Sequence, residues 1–205
     1  MFPQMAAIIK PSEGERFSLK VFSISEDEVK VAALRDMANR RRENMGLRAG
    51  SYVKLVDKKY HEIVMSDTAM ERQTNSEFLR KANGHVLIGG LGIGMILLAA
   101  QEKPEVQTIT VIEKYQEVID LLMPTLPINN KVKIINDDIF TWKPTQKYDT
   151  IYMDIWNNIT SDCWPEHTKL ARKYGHYLNR DNPKYWYGSW RKKDFKPKEK
   201  NGYYW

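Results

Sequence analysis

Residues 84–114, GHVLIGGLGIGMILLAAQEKPEVQTITVIEK, place four glycines, Gly89, Gly90, Gly92 and Gly94, in six positions directly after a short apolar run. Neither a buried strand nor a helix interior favours glycine. The segment HVLIG reads as a wholly apolar strand, and GMILLAAQEK as a helix that Pro104 ends. The glycines between them allow a tight turn, let a ligand lie against the main chain and open a helix whose first amides are free.

The same alternation continues downstream. QTITVIE reads as a strand, YQEVIDLLM as a helix stopped by Pro124, KVKIIN as a strand, DDIFTW as a short helical turn and YDTIYMDIW as a strand. A helix, SDCWPEHTKLARKYGHYL, and a further strand, KYWYGSW, follow. Apolar strands alternating with helices indicate a mostly parallel sheet covered on both faces, with right-handed crossovers. The N-terminal part reads differently. RFSLKVFSIS is a strand with Phe17, Leu19 and Val21 on one face. A helix over 26–44 opens on acids, with Arg40–Arg42 in its last turn and Gly46 as its stop. Residues 51–67 read as two strands around the turn DKK. The expected division is an N-terminal α+β segment with a β-hairpin over 1–78, an α/β unit over 79–190 and a basic aromatic tail over 191–205.

In an open α/β sheet, ligands bind beyond the carboxyl ends of the strands. The glycine loop lies at that end of the first strand of the unit. Glu113 lies at the same end of the next strand, nineteen residues after Gly94, where a carboxylate can accept both hydroxyls of a ribose. The loop reads G-G-x-G-x-G, with Met95 in the place of the third glycine of a dinucleotide fingerprint, which argues against a pyrophosphate-bearing cofactor. Asp137 or Asp138 either caps the turn IFTW or faces the ligand. Asp154 ends an apolar strand, where an unpaired buried carboxylate is costly, so it is either exposed in the cleft or paired.

In order and spacing, VLIGGLGIG, VIEKYQEVIDLL, NDDIFTW and YDTIYMDIW resemble a class I S-adenosylmethionine-dependent methyltransferase of the spermidine synthase-like group. The resemblance covers about residues 84–156, and IVMSDTAMERQTNSEFL is similar to the hairpin and gate segment that precedes the core in that group. It implies a Rossmann-like, doubly wound α/β fold, truncated here after strand five, and S-adenosyl-L-methionine as cofactor. It implies that Gly89, Gly90, Gly92 and Gly94 form the cofactor loop, with Gly90 and Gly92 along the methionine part. Glu113 is then on the ribose, Asp138 on the adenine amino group, Ile139 on the adenine ring and Asp154 near the sulfonium as the catalytic residue. Asp67, Glu71, Trp156 and Asn157 are the corresponding substrate-side candidates. The chain departs from the pattern in two places. Leu87 and Ile88 stand where many methyltransferases carry an acid, and DIWNNITSD lacks the second carboxylate with which aminopropyltransferases hold a polyamine. The expected activity is methyl transfer to a small-molecule or macromolecular acceptor that the sequence does not identify. The alternatives are aminopropyl transfer, with Asp67, Glu71, Asp154 and Asp162 as acids, or a non-catalytic nucleotide- or RNA-binding module. On this reading Glu113→Ala leaves the fold intact, and Glu117, one helical turn further on, tolerates alanine.

Charge adds a partner class. The net charge is +6, and residues 165–205 hold eleven Lys or Arg against four Asp or Glu, leaving 21 against 22 elsewhere. The tail mixes these cations with Trp and Tyr, as single-stranded nucleic-acid binders do; the plain alternative is cleft wall and a solvated end. The four histidines and Cys163 have no metal-site spacing, so no metal is expected. The single cysteine fits a reducing compartment, no apolar run is long enough for a bilayer, and MFPQMAAIIKPSEGER lacks a basic region before its apolar residues, so a cytoplasmic protein is expected. Oligomeric state is silent.

Overall fold

The computed structural model describes residues 1–38 and 47–195. Two sheets organise the chain. Four antiparallel strands, β1 (Ser12–Glu13), β2 (Phe17–Ile24), β3 (Gly50–Asp57) and β4 (Glu62–Ser66), pair in sequence order. β2 and β3 run in register from Phe17↔Asp57 to Ile24↔Gly50. Phe17, Leu19, Val53, Leu55 and Met65 turn inward, whereas Val21, expected on the same face, is 40% exposed. Its cross-strand partner Val53 is fully buried, so the core covers β3 at this level but not β2, and α1 (Glu26–Ala38) follows. A capping box starts α1: the Ser25 amide donates to Glu28 Oε2 at 2.7 Å and the Glu28 amide to Ser25 Oγ at 3.2 Å. None of its residues is buried. The expected end of this helix, Arg40–Arg42 and Gly46, lies outside the described residues.

Two short helices, α2 (Ala69–Thr74) and α3 (Ser76–Lys81), occupy the segment that the resemblance assigned to a gate. The second sheet follows: β5 (Gly84–Gly89), α4 (Met95–Gln101), β6 (Val106–Glu113), α5 (Gln116–Leu122), β7 (Val132–Asn136), β8 (Thr150–Met153), α6 (Cys163–Gly175) and β9 (Trp186–Ser189). Its five strands are parallel in the order β7-β6-β5-β8-β9. This is a Rossmann-like α/β sheet. The order reverses between β5 and β8, which places the crevice at their carboxyl ends.

The period-two alternation of each strand divides the interior. Val86, Ile88, Ile109, Val111 and Tyr152 face a core shared with α4, α5 and the N-terminal sheet. Leu87, Ile112, Ile151 and Met153 face a second core with Leu170 and Tyr174 of α6. Both faces of β5 are therefore covered, which is why its sequence is apolar throughout. KYWYGSW is a real fifth strand, β9, held to β8 from Thr150↔Trp186 to Met153↔Ser189. A last helix, α7 (Lys192–Phe195), tucks Phe195 into the first core. Residues 196–205, most of the expected tail, lie outside the described residues.

The N-terminal sheet is tied to the parallel unit by Glu117 on α5. Its Oε1 accepts the Arg16 and Phe17 amides, both at 2.9 Å, and Oε2 approaches the Arg16 amide at 3.2 Å. The expectation that Glu117 tolerates alanine is corrected accordingly. Its contacts lie a hundred residues away in sequence, and no local pattern announces them.

Candidate functional site

One cavity of about 390 Å³ opens at the carboxyl ends of the parallel strands, roofed by the N-terminal sheet. It collects Gly90, Gly92, Glu113, Asp138, Ile139, Asp154, Trp156, Asn157 and Glu71 from the sequence-named residues. Gly89, Gly94 and Asp67 are not on its lining. A Cβ on Gly89 would meet Met153 and Ile139, and one on Gly94 would meet Leu126, so these glycines serve close packing behind the loop. Asp67 is fully buried and accepts from the Val53 amide at 2.7 Å, the Met5 amide at 3.3 Å and Arg72 Nη2 at 3.0 Å. Arg72 also holds the Phe2 and Pro3 carbonyls, so the pair clamps the N-terminus and leaves Asp67 no oxygen for a ligand.

Glu113 is 7% exposed. Its Oε2 accepts the Leu91 amide at 2.9 Å and its Oε1 the Tyr115 amide at 2.8 Å. The carboxylate therefore links the glycine loop to the turn after β6. Each oxygen keeps a second lone pair. Burial raises its pKa above the usual range, partly offset by these amides. The expectation that Glu113→Ala leaves the fold untouched is corrected: the variant also frees two loop amides.

Asp138 both caps its turn and pairs with a cation. Oδ1 accepts the Phe140 amide at 2.8 Å, and Oδ2 lies 2.9 Å from Lys114 Nζ. Burial pushes its pKa up, but the amide and Lys114 outweigh that and hold it below the usual range. Ile139, buried beside Gly89, forms apolar floor. Trp156 donates its indole N–H to Glu166 at 2.7 Å, and Asn157 reaches Glu62 on β4 at 3.4 Å, so both latch the loop after β8 to neighbouring walls.

Asp154 and Glu71 differ from the other acids. Among the described residues, neither carboxylate has a hydrogen bond or ion pair of good geometry. Asp154 is partly open to the cavity, yet enclosed on its other sides. That desolvation, and then the charge of Glu71, push its carboxyl well above the usual range. Burial raises Glu71 to about 7 even though the Trp190 indole and Arg191 pull the other way. The Trp190 N–H lies near this carboxylate without an aligned hydrogen bond; it is buried and unpartnered.

The residues that the sequence did not nominate come from the roof. Arg16 pairs with Asp57 at 2.6 Å and lies over Phe17, Tyr60 and Tyr115, with its Cζ 5.0, 5.4 and 4.5 Å from the ring centroids. All five residues line the cavity. Its lining holds seven carboxylates, on Asp57, Glu62, Glu71, Glu113, Asp138, Asp154 and Glu166, against two cations, Arg16 and Lys114. Both cations are already paired within the lining. The cavity is thus acidic, and it suits a ligand with positive charge. Among the described residues no group of three His, Cys, Asp or Glu side chains is placed to hold a metal ion. No helix among them is long and apolar enough to cross a membrane.

No protein-family model matches the chain, and no curated protein does. Solved structures do. The N-methyltransferase NodS from Bradyrhizobium japonicum, in complex with S-adenosylhomocysteine, is 16% identical with a TM-score of 0.44, over 55% of this chain and 58% of that one. The CcbJ methyltransferase from Streptomyces caelestis is 16% identical with a TM-score of 0.43, over 53% of this chain and 45% of that one. The plantazolicin methyltransferase BpumL, in complex with S-adenosylhomocysteine, is 17% identical with a TM-score of 0.40, over 76% of this chain and 50% of that one. The chain spans about half the length of these solved chains. Likenesses of this order carry neither substrate nor reaction from one protein to another.

Proposed function

We propose that the cleft binds S-adenosylmethionine and that the protein transfers its methyl group to an acceptor. One observation carries the reading: the bare backbone of Gly90 and Gly92 faces a cavity into which Glu113, Asp138 and Asp154 project from neighbouring strand ends. The cradle fits such a group. A Cβ on Gly90 would overlap the Asp154 carbonyl, and one on Gly92 would overlap Met65, so only glycine leaves this surface clear. The donor set fits as well. Glu113 keeps two lone pairs for ribose hydroxyls, Ile139 offers an apolar floor for a base, and Asp138 offers its remaining lone pairs beside it.

When bound, the cofactor supplies an electrophilic methyl on a cationic sulfur, which keeps the electron pair of the broken bond. The protein's own residues hold and shield. Asp154 is the acid at the end of β8, where a developing or departing positive charge would lie, and a cation there draws its carboxyl towards ionisation. The Arg16–Tyr60–Tyr115 roof excludes water from the adenosine side. Trp156 and Trp190 bound the far side, where an acceptor would enter.

Aminopropyl transfer remains the second reading, favoured by the two unpartnered carboxylates, which a diamine would pair. Asp67 is not available to it. The two are separated by their products. With S-adenosylmethionine and a panel of short amines, phenols and oligoribonucleotides, methyl transfer gives S-adenosylhomocysteine. With decarboxylated S-adenosylmethionine and putrescine it gives no spermidine. Spermidine in the second mixture and no S-adenosylhomocysteine in the first would overturn the proposal.

A further inference from the structure

The strand order β7-β6-β5-β8-β9 sets Asp138, Glu113, Gly90, Asp154 and Trp190 in a row, each at or just beyond the end of its strand. Adjacent strands lie about 4.8 Å apart, so the row spans about 19 Å. A ligand with its base over β7 and its ribose at β6 therefore directs its other end towards β8 and β9. In S-adenosylmethionine that end is an α-amino acid, with an ammonium and a carboxylate on one carbon.

Most acids of the cavity are unavailable to that ammonium. Asp57 and Asp138 are paired with Arg16 and Lys114, Glu62 accepts from Asn157, Glu166 accepts from Trp156, and Glu113 holds two amides and, on this reading, the ribose. The strand that enters the loop carries buried Leu87 and Ile88 before its last residue, Gly89, and supplies no acid. Asp154 follows β8 with its carbonyl against Gly90, and the cofactor reading assigns its carboxylate to the sulfur. Glu71 is left. It stands on α2, which follows β4, whose Met65 lies against Gly92. Beside it is the Trp190 indole N–H, a donor on a side chain only 4% exposed, close to the Glu71 carboxylate but not aligned on it, and so without a hydrogen bond of good geometry. Buried donors are normally satisfied, so an unpaired one on a cavity wall points to an absent acceptor. An acid and a donor side by side match the two groups of an α-amino acid.

We infer that Glu71 holds the α-ammonium of the cofactor's amino-acid part, with the Trp190 indole N–H on its carboxylate. This rests on the reading of the cleft as an S-adenosylmethionine site. The burial that lifts the free Glu71 carboxyl to about 7 is relieved when a cation pairs with it.

The test is titration calorimetry with two ligands: S-adenosylhomocysteine, and 5′-methylthioadenosine, which keeps the adenosine and the sulfur but lacks the amino-acid end. Glu71→Gln is expected to weaken S-adenosylhomocysteine about tenfold or more and to leave methylthioadenosine within about twofold. Glu71 is only half-buried on a short helix, so melting of the free variant should match wild type. Unchanged affinity for S-adenosylhomocysteine would overturn the inference. So would a parallel loss for both ligands, which would place Glu71 on the adenosine half. Wild-type protein that binds methylthioadenosine and S-adenosylhomocysteine equally would show that the amino-acid end finds no site here, while the cofactor reading stands. Wild-type protein that binds neither would overturn the cofactor reading itself, and this inference with it.

Discussion

Gly90→Ala is expected to lower affinity for S-adenosylhomocysteine about a hundredfold or more, equivalent to about 3 kcal/mol. Two causes act together. The φ of Gly90 is +93°, a backbone region that side chains with a Cβ rarely adopt. The added methyl would also overlap the Asp154 carbonyl, which is backbone and cannot swing aside. The Asp154 amide is itself fixed to the Gly89 carbonyl at 2.8 Å, so the ends of β5 and β8 must part to admit the methyl. That movement shifts both the cradle and the carboxylate beside it. Gly175→Ala is the matched control. It sits in α6 with nothing within 4 Å of its new methyl, so the same change there should leave binding alone. Equal affinity in wild type and Gly90→Ala would mean that the ligand does not lie on this loop.

Glu117→Ala is expected to destabilise the free protein by about 3 kcal/mol, seen as a fall in melting temperature of roughly 6–12 °C for a chain of this size. The variant strips the Arg16 and Phe17 amides of a charged acceptor at a partly buried site beside buried Phe17. Glu117→Gln should lie between, since its amide keeps one acceptor. Asp120→Ala, on the same helix but exposed, should change melting little. A Glu117→Ala variant that melts with wild type would show that the N-terminal sheet is held by its apolar contacts alone.

The parallel sheet was legible because its signals are local. Glycines after an apolar run, prolines at helix ends and period-two strands each lie within ten residues or so. That Glu113, Asp138 and Asp154 line the cavity follows from their places at strand ends, while the parts given to them on a cofactor came from the resemblance. The roof was not legible. Arg16, Tyr60 and Met65 reach the cavity through the antiparallel sheet, which meets α5 through the Glu117 carboxylate among its contacts, and that meeting leaves no spacing to read. Asp67 and Glu71 looked alike in sequence, four residues apart. The structure separates them because Asp67 falls beneath β3 and meets Arg72, while Glu71 turns to the cavity. Val21 misled for a related reason: alternation gives a face but not where the core ends beneath it.

The central claim is that the cleft beyond β5, β6 and β8 is a site for S-adenosylmethionine. Isothermal titration of the wild-type protein with S-adenosylhomocysteine tests it most directly, because the product analogue needs no acceptor and cannot turn over. The account predicts saturable binding of one ligand per chain, reduced about a hundredfold by Gly90→Ala and untouched by Gly175→Ala. No heat of binding up to high micromolar ligand, from protein with a cooperative melting transition, would contradict it.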